Sequence, residues 1–147
     1  MKKYTVLTVY ALCVFLSVKS LFAQTTFQIV ESVPAETILE ESKLPRAADV
    51  WVEMIKSAKK SIDMETFYIA SEPNEPLEKA IKEIINAANR GVTVRIMIDE
   101  KFFERYPESA KDFDSIKNIT LKKIPFGKIA GRVMHAKYFV VDGVDLF

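Results

Sequence analysis

The sequence predicts an α/β fold: a mostly parallel, mixed sheet covered by helices. Three observations predict it. β-Prone runs alternate with segments whose apolar residues recur at helical spacing. Ser61–Ile98 reads strand, helix, glycine, strand, a βαβ unit with an expected right-handed crossover. Val133–Phe147 reads as two short strands around an Asp-Gly pair, which is a hairpin signal.

The elements are expected in this order. Thr26–Val33 alternates as a first strand and stops at Pro34; 35–45 is polar and reads as a loop. Arg46–Lys60 carries Val50, Met54, Ile55 and Ala58 at the spacing of one helix face. Trp51, the only tryptophan, fits a core position there. Ser61–Ile69 reads as a strand with Ile62, Met64, Thr66 and Tyr68 on one face. Its other face carries Asp63 and Glu65 beside Phe67 and Ile69, either as a solvated end or with a carboxylate turned to a polar cleft.

Pro76 suits the first position of a helix that runs to Arg90 and is capped by Gly91. Leu77, Ala80, Ile81, Ile84, Ile85 and Ala88 form its apolar stripe. Val92–Ile98 is a strongly β-prone strand ending at Asp99. Lys101–Tyr106 and Glu108–Lys117 read as short helices, Ile119–Ile124 as a strand, and Pro125–Arg132 as a loop.

Composition bounds the chemistry. Residues 1–23 resemble an export signal: Lys2 and Lys3 precede an apolar run, Tyr4–Val18, too short to span a bilayer comfortably. Export to the periplasm or medium is therefore expected, with an uncleaved anchor as the alternative. Cys13 leaves with the signal, so residues 24–147 offer no disulfide and no thiolate metal site. Cleavage also takes the 21 basic residues to 18 against 20 acidic, which excludes a globally basic nucleic-acid binder. Locally the balance differs. Ser115–Val141 has no acidic residue but holds Lys117, Lys122, Lys123, Lys128, Arg132 and Lys137. That run leads into the only histidine, and Lys128 and Arg132 are candidates to bind an anionic substrate, with Glu65 a further candidate. The chain stops at Asp145-Leu146-Phe147 inside an expected strand, which suggests a truncated domain.

His135 and Lys137 stand two residues apart in a β-prone run, so they are expected to project from one strand face. An imidazole can attack phosphorus, and an adjacent cation can stabilise the phosphoryl oxygens. Asp142 has the opposite parity, which points to a structural role in the turn. A lone histidine on a strand is more often a packed or surface residue, so spacing alone does not decide its role.

A longer match does. His135-Ala-Lys137-Tyr-Phe-Val-Val-Asp142-Gly fits the His-x-Lys-x4-Asp motif of the phospholipase D superfamily. Ala58-Lys-Lys-Ser-Ile-Asp-Met-Glu-Thr-Phe-Tyr-Ile and Ala87-Ala-Asn-Arg-Gly-Val-Thr-Val-Arg-Ile-Met-Ile-Asp99 resemble the upstream blocks of its N-terminal half, nearest the lysosomal and poxviral phospholipase D-like branch. The resemblance implies an α/β/α sandwich and phosphoryl transfer through a covalent histidine, with no metal and no cofactor. It implies His135 as nucleophile, Lys137 as phosphate clamp and Asp142 as the motif aspartate. It also implies two motifs per active site, whereas this sequence holds one. The second is expected from a missing C-terminal half or a dimer partner, and the chain alone is expected to be nearly inactive.

The leading functional expectation is a phospholipase D-like phosphodiesterase acting on phospholipids at a membrane surface. A secreted nuclease or exonuclease of the same superfamily is the first alternative, since the basic stretch could hold a polynucleotide backbone. An inactive phosphate- or lipid-binding module is the second.

Overall fold

The computed structural model describes residues 26–34 and 43–147. The expected export signal and residues 35–42 of the expected loop lie outside them. The described chain runs α1 (Ala47–Ser57), β1 (Ser61–Thr66), α2 (Pro76–Asn89), β2 (Thr93–Asp99), α3 (Glu100–Arg105), a 3-10 turn (Phe113–Ser115), β3 (Ile119–Ile124), α4 (Phe126–Ala130), β4 (Lys137–Val141) and β5 (Asp145–Leu146).

The five strands form one mixed sheet in the order β3-β2-β1-β4-β5. β1 pairs parallel with β2, and β2 with β3. β4 returns antiparallel beside β1, and β5 antiparallel beside β4. Four strands therefore run one way and β4 opposes them. The turn between β4 and β5 follows from Asp142 and Gly143, which take positive φ of 55° and 73°. Val144 N–H donates to the Val141 carbonyl across them. That is the conformation the Asp-Gly pair favours. The ladder resumes with Val141 opposite Asp145, so Val144 is an extra residue in the connection.

Register fixes which residues share a face. Ile62, Met64 and Thr66 of β1 lie level with Val94, Ile96 and Ile98 of β2 and with Val141, Phe139 and Lys137 of β4. This is the core face, where Ile62, Val94, Ile96, Ile98 and Val141 are fully buried. α1 and α2 cover it with Ile55, Ala80, Ile84, Ala87 and Ala88. α2 has proline at its first position and ends before Gly91, whose φ of 97° no other residue type adopts readily. Arg90 donates to the carbonyls of Ile55 and Lys56, so it closes the C-terminal end of α1 as well as following its own helix.

The opposite face of the sheet carries Asp63, Glu65, Arg95, Met97, Lys122 and Tyr138, and is largely open. The third layer of an α/β/α sandwich is not among the described residues.

Four expectations need correction. Thr26–Val33 is not a strand: only Glu31 forms a bridge, to Arg46, while Phe27 is 89% and Ile29 59% exposed. Its alternation finds no neighbour, because β3 and β5 are the sheet edges. β1 ends at Thr66 rather than Ile69. Glu108–Lys117 closes as successive turns with one 3-10 turn, and Pro125–Arg132 contains α4 rather than being only a loop.

Candidate active site

The site lies at the carboxyl ends of β1 and β2, the usual place for ligands on open α/β sheets. β4 starts there. Lys137 pairs with Thr66, the last residue of β1. His135 precedes β4 by two residues and is not in the strand, because β1 supplies no backbone partner beyond Thr66. The two side chains still meet. Lys137 Nζ lies 3.3 Å from each imidazole nitrogen of His135. An ammonium can donate to only one of the two at a time, the nitrogen that carries a free lone pair in a neutral ring. Both side chains are exposed.

What holds the unpaired His135 segment is Asp99. It is the one buried charged residue among the described residues, 1% exposed. Met134 N–H donates to its Oδ2 at 2.8 Å, and Phe102 N–H to its Oδ1 at 3.3 Å. One carboxylate thus caps α3 and pins the residue next to His135. Phe102 in turn packs on Phe67 (centroids 3.9 Å apart), and Phe67 packs on the imidazole at 4.8 Å. Lys137 Nζ sits 5.1 Å from the Phe67 centroid. The pair is therefore walled by a ring whose own support begins at the same aspartate.

Asp142 is at the other end of the sheet. Its carboxylate accepts from the backbone N–H groups of Lys59, Lys60 and Ser61 at 2.7–3.2 Å. The bonds from Ser61, then Lys59 and Lys60, hold its carboxyl below the usual carboxylate range. The length of β1, roughly 17 Å at the usual rise, separates it from His135. It locks the motif hairpin to the loop before β1.

Of the remaining candidates, Glu65 and Lys128 are engaged elsewhere. Glu65 faces the open side of the sheet, opposite Lys137, because it pairs with Tyr138 and takes that residue's hydroxyl as a donor. Alternation along β1, not sequence proximity, removes it from the site. Lys128 ion-pairs with Glu100 at 3.0 Å, tying α4 to α3. Arg132, exposed after left-handed Gly131, makes no hydrogen bond or ion pair to the described residues and stays available to an anion. The basic run is split as well. Lys117 precedes β3 at the far end, Lys122 is on the open face, and Lys123 lies 4.2 Å over the Phe103 ring.

Comparison with known proteins places this geometry. Residues 51–146, from α1 through β5, match the family described as cardiolipin synthase, PLD-like domain. The chain belongs to the phospholipase D superfamily. Its similarity to curated members of the superfamily is distant. It is 27% identical over 137 residues to 5'-3' exonuclease PLD3 of Xenopus tropicalis, covering 84% of this chain and 27% of that protein. It is 28% identical over 137 residues to phospholipase D Z of Dictyostelium discoideum, covering 83% and 31%. A probable cardiolipin synthase, YwiE of Bacillus subtilis strain 168, is 34% identical over 99 residues, covering 65% and 18%. The chain thus spans under a third of the length of these relatives. NucT from Helicobacter pylori shares the fold, with a TM-score of 0.52 at 17% identity, over 64% of this chain and 58% of that one.

Sequence reasoning missed Asp99 as a site residue in this phospholipase D-like chain, although it directly follows the β-prone run Val92–Ile98. A carboxylate directly after an apolar run is either solvated or buried with partners, and burial with partners is the costlier choice that needs a reason. It also missed the ring wall of Phe67 and Phe102, which are 35 residues apart in sequence and meet only through the β1–β2 pairing.

Proposed function

We propose that the protein cleaves or transfers phosphodiesters through a covalent phosphohistidine at His135. The observation that carries this is the contact of Lys137 Nζ with both imidazole nitrogens, on a segment pinned by a buried carboxylate. In the first step a ring nitrogen of His135 forms a bond to phosphorus, and the phosphorus–oxygen bond to the leaving group breaks. The leaving oxygen takes a proton from a general acid, for which a second motif is required. That motif comes from a further part of a longer chain or from a second copy. Lys137 offsets charge on the non-bridging oxygens throughout. Water, or an alcohol in transfer, then attacks phosphorus. The phosphorus–nitrogen bond breaks, and the attacking oxygen loses its proton to the group that first donated one. Asp142 stays structural in this scheme, Arg132 assists phosphate binding, and residues 1–23 direct export.

Two substrate classes have support. A cleft of about 310 Å³ between the sheet and α1/α2 is lined by Met64, Leu77, Ile81 and Phe147, together with Lys137. That supports a phospholipid, whose acyl chains need such a surface. The row of rings that starts at His135 supports a polynucleotide, and we rank it first.

The test is mass spectrometry of the protein quenched after brief incubation with a phospholipid or with a short oligonucleotide. A phosphoryl adduct on His135 is expected, and it is expected to vanish in His135→Asn. Turnover without any adduct, or turnover retained in His135→Asn, would overturn the covalent mechanism.

A further inference from the structure

We propose that the rings leading away from His135 form a stacking subsite for a nucleobase, so that the reactive pair meets the phosphate of a single-stranded polynucleotide. The inference rests on His135 acting on a phosphodiester. The row begins with Phe67, 4.8 Å from the imidazole. Tyr68 follows at 5.3 Å from Phe67 and 6.5 Å from Phe102. Tyr106 follows at 5.8 Å from Tyr68. The Arg105 guanidinium closes the row 5.3 Å from the Tyr106 centroid. Tyr68 is 43% and Tyr106 39% exposed, so each is half embedded and half open to a ligand.

The row is built in advance of any ligand. Asp99 fixes Phe102 through its backbone N–H. Ser71 N–H donates to Ser109 Oγ at 2.9 Å, which ties the segment after Tyr68 to the segment after Tyr106. A preorganised aromatic platform next to a phosphate-binding cation is how single strands are held without reading sequence: bases stack while cations follow the backbone. Lys137 supplies the cation at the His135 end and Arg105 at the other. A membrane would select differently. Its preferred anchors are exposed apolar side chains, and the most exposed large ones among the described residues, such as Phe27, Val144 and Ile129, are not in the row.

The experiment compares binding of a fluorescent oligothymidylate with an abasic oligomer of equal length and charge, by anisotropy, alongside phosphatidylglycerol vesicles. Wild-type protein is expected to bind the thymidylate about tenfold or more tightly than the abasic strand. Tyr68→Ala combined with Tyr106→Ala is expected to reduce thymidylate binding to the abasic level with an unchanged salt dependence, since phosphate contacts are untouched. Tyr68→Phe with Tyr106→Phe keeps the rings and is expected to bind as wild type. Equal binding of the two strands by wild-type protein overturns the subsite whatever the variants do, and so does tighter binding to the vesicles than to thymidylate. An adduct on His135 without base discrimination refutes the subsite alone. Base discrimination without an adduct from any diester refutes the reaction alone.

Discussion

Removing the Asp99 carboxylate is the most direct test of how the site is held. In Asp99→Ala two backbone N–H groups lose their acceptor: Met134 at 2.8 Å and Phe102 at 3.3 Å. A hydrogen bond to a charged group contributes roughly 1.5–3 kcal/mol. A helix cap contributes roughly 0.5–2 kcal/mol, and the longer bond to Phe102 belongs at the low end of that range. The sum is about 3 kcal/mol, a large share of the roughly 5–15 kcal/mol that stabilises a domain. At about 4 °C per kcal/mol for a domain of this size, the melting temperature should fall by about 12 °C. Asp99→Asn keeps one acceptor oxygen but turns an amide N–H₂ toward the other donor, so it should recover at most half of the loss. Urea denaturation followed by circular dichroism measures both. Local hydrogen exchange separates a general from a specific effect: protection at Met134 and Phe102 should fall before protection in β2 does. A loss below about 1 kcal/mol in Asp99→Ala would mean that neither bond stabilises the folded state beyond what water offers, and that Asp99 does not hold the site.

Asp142 makes stability depend on pH. Its folded-state carboxyl is held down by the N–H groups of Ser61, Lys59 and Lys60, so its contribution is complete above the unfolded value of about 3.9 and is lost as pH falls through the lower folded value. Asp63, held down first by its hydrogen bond from Arg95, acts in the same direction. Urea midpoints measured between pH 5 and pH 2 should therefore fall, and Asp142→Asn should flatten that fall. Lys137→Gln should lower turnover of bis(p-nitrophenyl) phosphate by about 10²–10³-fold with a smaller change in KM, as for loss of one preorganised donor to a developing oxyanion. Steady-state kinetics on an active preparation checks it. Arg90→Met removes two bonds to the last carbonyls of α1 and should cost about 1 kcal/mol in urea denaturation, without altering adduct formation at His135.

Much was decided locally, and local features are what a sequence displays. The stripe from Leu77 to Ala88, Pro76 at its start and Gly91 at its end specify α2, since each acts through a few neighbouring residues. Alternating apolar residues specify β1 to β3, and Asp142-Gly143 specifies the hairpin turn. The long motif match fixed the superfamily and singled out His135 and Lys137. The tertiary structure decided what depends on pairing. Strand order puts β4 beside β1, and register then places Lys137 at the end of β1 with His135 beyond it. The same register turns Glu65 to the far face and puts Asp142 at the opposite end of the sheet. Thr26–Val33 alternates like a strand yet finds no strand to pair with, because backbone hydrogen bonds need a neighbour that alternation alone does not supply. Asp99 and the rings of Phe67 and Phe102 become site residues for the same reason. Their role is set by partners some 35 residues away, and only the folded sheet brings those distances down to a hydrogen bond or a ring contact.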